Sequence, residues 1–156
     1  MGNEALNFLD APGTIKILVT TDEKGTPHAA VKQSLSYEDG SLVYWELFEH
    51  STTNRNLTAD LWYDRPVSVL LFTSDERSFL IKARPRYSFI SGKIFKQHYE
   101  RARARYGDVD LACVWFMRPE SAEEHTLAAR LQEEKRLHPY FNHLDRLASP
   151  ARTVHG

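Results

Sequence analysis

Apolar and polar positions alternate along the first half of the chain in a strand-like rhythm. Ile15 to Thr21 is β-branched and extended. Asp22-Glu23-Lys24-Gly25-Thr26-Pro27 carries turn chemistry, with Gly25 free to adopt positive φ. His28 to Tyr37 and Leu42 to Phe48 make two further strands around Glu38-Asp39-Gly40, where Asp-Gly between extended runs marks a hairpin. The period then changes. Thr53 to Asp64 predicts a helix with Leu57 and Leu61 on one face, stopped by Arg65-Pro66. Val67 to Thr73 is apolar on both faces and predicts a central strand. Ser78 to Ile90 is a strand that must bulge or run along an edge at Pro85, which has no amide proton to donate. Lys93 to Tyr106 is a second helix closed by Gly107, and Val109 to Met117 is the last strong strand, able to continue past Arg118-Pro119. Before all these, Met1 to Ala11 predicts a short helix.

The expected architecture is therefore mainly β, of the α+β kind: a six-stranded antiparallel barrel with two inserted helices. Residues 1–126 form the domain. Residues 127–156 form a charged helical tail, frayed from Ser149 onward.

A chain of 156 residues supports one core of useful size. The formal net charge of −1 argues against a general affinity for nucleic acid. No run of about 20 apolar residues offers a membrane span, and the N-terminus lacks a secretory pattern, so a cytoplasmic location is expected. Arg101, Arg103 and Arg105 are spaced to spread around a helix, giving a solvated or subunit-facing surface. Cys113, the only cysteine, sits in an apolar run and reads as a small buried hydrophobe. The seven histidines show no metal-ligand spacing; His138 and His143 flank Pro139 without a cysteine or carboxylate partner. No catalytic triad, Walker loop or dinucleotide fingerprint is present.

The string Ser51-Thr52-Thr53-Asn54-Arg55-Asn56-Leu57 concentrates hydroxyls at a helix start. It reads in two ways. It is an N-cap, or it is an anion seat in which free backbone amides and the positive helix end meet a phosphate. Glu46 lies among Val43, Tyr44, Trp45, Leu47 and Phe48, so it needs a hydrogen-bonding partner or a rim position. Trp45 and Trp115 either pack in the core or flank a planar ring.

The order of elements, with Gly25-Thr26-Pro27-His28, Ser51-Thr52-Thr53-x-x-Asn56-Leu57, and Phe79-Leu80-Ile81-Lys82-Ala83 before Tyr87 and Gly92, resembles the FMN-binding split barrels related to pyridoxamine 5′-phosphate oxidase. The pattern is most similar to the small FMN-binding proteins and runs from about Ile15 to Glu124. The resemblance implies a homodimer with FMN in a groove between subunits. It implies a phosphate against Ser51, Thr52 and Thr53 with Asn56 nearby. Lys32, Gln33 and Ser34 on the second strand would face the ribityl chain and ring, and Glu46 and Leu47 would line the ring edge. Many members carry a basic residue at the place of Thr52, so the countercharge here falls to Lys32 or Arg55, or FMN binding is weaker, or the cofactor differs. The implied function is an FMN-dependent oxidoreductase or electron carrier acting on a small molecule. In it the flavin does the chemistry, and no side chain is singled out as catalytic. The clustered basic residues that a phosphorylated second substrate would need are absent, so pyridoxamine phosphate oxidation itself is not expected. The alternative is a binding module of the same shape for haem or another small ligand, with His50 and His98 as the histidines to consider.

Overall fold

A computed structural model describes residues 4–138. A short helix α1 (Glu4–Asn7) and a 3-10 turn (Phe8–Asp10) precede β1 (Ile15–Thr21), β2 (Pro27–Val31), β3 (Ser36–Glu38) and β4 (Ser41–Glu46). Then come α2 (Thr52–Trp62), β5 (Val67–Phe72), β6 (Ser78–Phe89), α3 (Gly92–Tyr106), β7 (Cys113–Glu124) and α4 (Leu127–Leu137). The fold is α+β around one antiparallel sheet in the order β2-β1-β5-β6-β7-β4-β3. The two inserted helices lie where the periodicity placed them, and the described part of the tail is helical.

The strand count differs from expectation: seven, not six. The segment read as one strand from His28 to Tyr37 is two strands, because the chain changes partner in its middle. β2 pairs with β1 (Ile17 opposite Val31) and β3 pairs with β4 (Ser36 opposite Val43). Between them Lys32 to Leu35 turn, with the Leu35 amide donating to the Lys32 carbonyl at 3.2 Å. Thus Lys32, Gln33 and Ser34 sit on a turn, not a strand. β2 and β3 are the two outer strands of the ladder order, yet only four residues join them. From Val31 to Ser36 such a link spans at most about 18 Å, so the sheet must curl until its ends approach.

Inside the curl, Leu18, Leu35, Leu42, Tyr44, Leu57, Val69, Leu71, Ile81 and Met117 form the main core, closed at one end by Leu6 and Leu9. A second cluster of Val43, Trp45, Leu111 and Val114 receives Ala102 of α3 on the opposite face. β4 therefore buries both faces, which explains its unbroken apolar run. β6 lies between β5 and β7, so Pro85 is accommodated by a bulge and not by an edge; the register shifts between Pro85 and Tyr87. β7 continues through Pro119 to Glu124. Gly107 ends α3 at φ 82°, a conformation that glycine adopts without strain.

Candidate functional site

The buried face of α2 is polar. Thr53, Asn56, Leu57 and Asp60 face inward, whereas Leu61, expected beside Leu57, is 37% exposed. The reason is what α2 covers, namely the end of β1, whose groups need partners. The Asn56 amide donates to Thr20 Oγ1 at 3.1 Å. Asp60 accepts from the Thr21 amide (3.1 Å) and hydroxyl (2.5 Å) and pairs with Arg65 at 3.3 Å. Arg65 in turn donates to the Asp22 carbonyl at 2.7 Å, clamping the β1–β2 turn to the helix. That turn is held internally by Asp22, whose carboxylate accepts from the Lys24 and Thr26 amides. Chiefly through the Thr26 amide bond, Asp22 is kept below the usual carboxylate range.

This clamp creates an open depression of about 340 Å³ lined by Asp22, Glu23, Lys24, Thr52, Arg55, Asn56 and Ala59. Arg55 leans on its rim, donating to Thr52 Oγ1 at 3.3 Å. Two cations, two carboxylates, a hydroxyl and the first turn of a helix meet there. Of the residues singled out from sequence, Thr52, Asn56 and the countercharge candidate Arg55 line this depression. Lys24 was missed. It sits in a turn whose only readable signal was Asp22 followed by Lys24 and Gly25, and nothing local says that α2 docks against it.

Ser51 is the N-cap. Its hydroxyl oxygen accepts from the Asn54 amide at 2.9 Å and its proton goes to Glu46. Glu46 is 1% exposed and also accepts from Tyr44 OH (2.9 Å) and the Leu47 amide (3.1 Å), so the partner it needed is internal. Burial, and then the Glu46 charge beside it, push the Tyr44 phenol well above its ordinary range. The Lys32 ammonium lies over the Tyr44 ring, 5.7 Å from its centre. One string of contacts therefore joins the 32–35 turn to the start of α2. Leu47 is half-buried just past β4, and Thr53 is buried. Asn54 Oδ1 accepts from the Trp115 indole at 2.8 Å. Gln33 and Ser34 are tied to backbone: Gln33 accepts from the Lys16 amide and donates to the Thr14 carbonyl, and the Ser34 hydroxyl donates to the Trp45 carbonyl and accepts from the Trp45 amide.

Trp45 and Trp115 are core residues, 6% and 2% exposed. His98 is buried against α3's own side of the sheet, its Nδ1 accepting from the Trp45 indole at 3.0 Å. His50 is exposed. Cys113 is buried opposite Glu46, and burial pushes its thiol up.

The sequence matches no family model and no curated protein. Solved structures do match. HupZ of Group A Streptococcus superposes with TM-score 0.66 at 15% identity, over 81% of this chain and 95% of that one. An FMN-binding protein from Syntrophomonas wolfei gives 0.66 at 14% identity, over 80% and 86%. The haem storage protein HutZ from Vibrio cholerae gives 0.59 at 14%, over 77% and 91%. The chain has the split-barrel fold. Within that fold the matched region leaves out about a fifth of this chain. No helix among the described residues is long and apolar enough to cross a membrane.

Proposed function

We propose that this split barrel is an FMN-binding redox protein, an oxidoreductase or electron carrier for a small molecule. The observation that carries the reading is the convergence of Lys24, Arg55 and Thr52 on one depression at the first turn of α2. The donor set suits a phosphate monoester. The Thr52 and Thr53 amides precede the Ser51-capped Asn54 amide at the helix start, and Lys24 and Arg55 stand beside them, with the Asp22 and Glu23 carboxylates on the same rim opposing part of their charge. Arg55, one of the two countercharge candidates, lies at the hydroxyls; Lys32 lies elsewhere, over Tyr44. In this reading Thr52, Arg55 and Lys24 hold the phosphate and Asn56 fixes α2 beneath it. Lys32, with Gln33, Ser34 and Leu47, forms the wall toward the ring, while Glu46, Ser51 and Thr53 act from below. Bound FMN would supply hydride or single-electron transfer, with the protein setting access and electrostatics.

Large apolar side chains on the outside support a homodimer. Trp62 is 83% exposed, Phe48 70% and Ile90 73%, more than a solitary small domain ordinarily leaves bare. The second copy would cover the outer face of α2 and complete the groove.

Purified protein should be yellow, with flavin absorption that bleaches on reduction by NADH or NADPH. A red protein with a haem spectrum would transfer the fold to the haem-binding reading, and a protein that stays colourless after FMN addition would remove both. Thr52→Glu and Arg55→Glu place negative charge at the half-buried and exposed rim, where the fold tolerates it. Each should weaken FMN binding at least tenfold with unchanged thermal unfolding. Full flavin content in both variants would refute the phosphate assignment.

A further inference from the structure

Lys16 is a charged residue pointing the wrong way. It belongs to β1, is 6% exposed, and among the described residues forms no ion pair, Asp10 being the carboxylate whose charge acts on it from further off. Its ammonium instead donates to two main-chain carbonyls of the 32–35 turn, Leu35 at 2.6 Å and Gln33 at 3.2 Å. Its backbone serves the same turn: the Lys16 carbonyl accepts from the Lys32 amide (2.8 Å) and the Lys16 amide donates to Gln33 Oε1 (2.9 Å). On the far side, Ser34 Oγ is fastened to Trp45 of β4. From outside, Arg105 of α3 reaches the Gln33 carbonyl at 3.4 Å. The turn is where the chain passes from pairing with β1 to pairing with β4, so its carbonyls lose their ladder partners. Lys16 supplies replacements through a stem long enough to cross the gap.

We infer that Lys16 is a positioning residue: its buried ammonium latches the turn between β2 and β3, and thereby fixes Lys32 over Tyr44 as part of the cofactor wall. This rests on the flavin reading for its consequence, but the latch itself rests on the two hydrogen bonds of the ammonium, beside two more from the Lys16 backbone to the same turn. Burial of the amine, then the nearby Arg105 charge, lower its proton affinity, consistent with a group enclosed by protein. A methionine keeps an unbranched apolar stem, one atom shorter, and has no donor, so Lys16→Met removes the two ammonium bonds and leaves the two made by the Lys16 backbone. The Leu35 carbonyl then loses its Lys16 donor and the Gln33 carbonyl keeps only Arg105, so the turn regains its hydrogen bonds by moving toward water.

The test compares wild type, Lys16→Met and Arg105→Ala in two measurements. The first is amide hydrogen exchange at Lys32 to Leu35, with α2 amides as the internal reference. The second is FMN titration, read both as affinity and as the shape of the bound flavin's visible band. Lys16→Met should speed turn exchange at least tenfold while α2 is unaltered. It should weaken FMN tenfold or more and change the band shape, which a general loss of stability would not do. Arg105→Ala, at an exposed position, should shift both in the same direction by two- to fivefold, and it covers the case in which Lys16→Met does not fold. Unchanged turn exchange in the variants overturns the latch. Faster turn exchange with unchanged FMN affinity and spectrum overturns its role in the cofactor wall. If wild type takes up no FMN, the flavin reading fails and takes the cofactor wall with it, while the exchange comparison still decides the latch.

Discussion

Glu46 is a carboxylate with no cation among its partners, kept in the core by the Tyr44 hydroxyl, the Leu47 amide and the Ser51 hydroxyl. Three donors on one charged group compensate much of the desolvation that burial imposes. Removing the acceptor strands the buried Tyr44 hydroxyl and the half-buried Ser51 hydroxyl and leaves a cavity. Glu46→Ala should therefore cost about 3–5 kcal/mol, read from urea unfolding. Ser51→Ala removes the cap of α2 and one donor to Glu46, and should cost about 1–2 kcal/mol. Because both changes act on one bond, the double variant should lose less than the sum; strict additivity would mean that the Ser51–Glu46 contact carries no energy. The sequence already demanded a partner for Glu46. Tyr44, two residues earlier and so on the same face of the strand, was within reach of that logic. Ser51 was not, because its approach depends on how the chain doubles back between β4 and α2.

Helices α2 and α3 meet the sheet with different balances of contact. α2 packs one core side chain, Leu57, and adds polar bonds from Asn56 and Asp60, while α3 docks through Ala102 and the His98–Trp45 bond. The helical period located both helices, but it cannot separate a buried polar face from a solvated one. That is why Leu61 looked internal. The strand alternation, by contrast, is broken at Lys32-Gln33-Ser34, three polar residues in a row, and a single strand from His28 to Tyr37 overlooks that mark of the change in pairing partner. At α3 the consequence is a pH response. His98 faces Trp45 from β4, Phe116 from β7, Arg101 from its own helix, and Glu38 from β3 through the Arg101–Glu38 pair. Burial, then the Arg101 charge, hold its pKa below the ordinary 6.5, with Glu38 opposing. The unfolded chain thus binds the proton more readily than the folded one. His98's contribution is complete above about pH 6.5 and is withdrawn as pH falls toward its folded value. Between pH 7.5 and pH 5 the urea midpoint of wild type should fall. His98→Gln, which keeps an acceptor for the Trp45 indole without titrating, should fall less over the same window. Glu38 is held below the usual range by Arg101 and stays ionised throughout, so it does not confuse the comparison. Parallel curves for the two proteins would show that His98 is not the titrating group.

For the whole molecule, the central question is what covers the outside of α2. Polar bonds consume its inner face, and its outer face carries Trp62 and the half-exposed Tyr63 and Leu61 into solvent. Phe48 leads into the helix and Ile90 precedes α3; both are exposed as well. Burying these side chains against a second copy is worth about 1.5–3 kcal/mol each for the aliphatic and phenyl groups. That is enough for several of them, taken twice by symmetry, to hold a dimer despite the loss of rotational and translational freedom. The depression at Thr52 and Arg55 opens beside this same helix, so assembly and cofactor affinity should be coupled. Trp62→Glu sets one charge from each subunit into the contact. The variant should sediment at the 18.0 kDa monomer mass at micromolar concentration where wild type sediments at twice that value. It should also bind FMN at least tenfold more weakly although Trp62 lies at the far end of α2 from Thr52. A wild-type monomer would refute the shared groove, and a dissociated variant with full FMN affinity would place the whole cofactor site within one subunit.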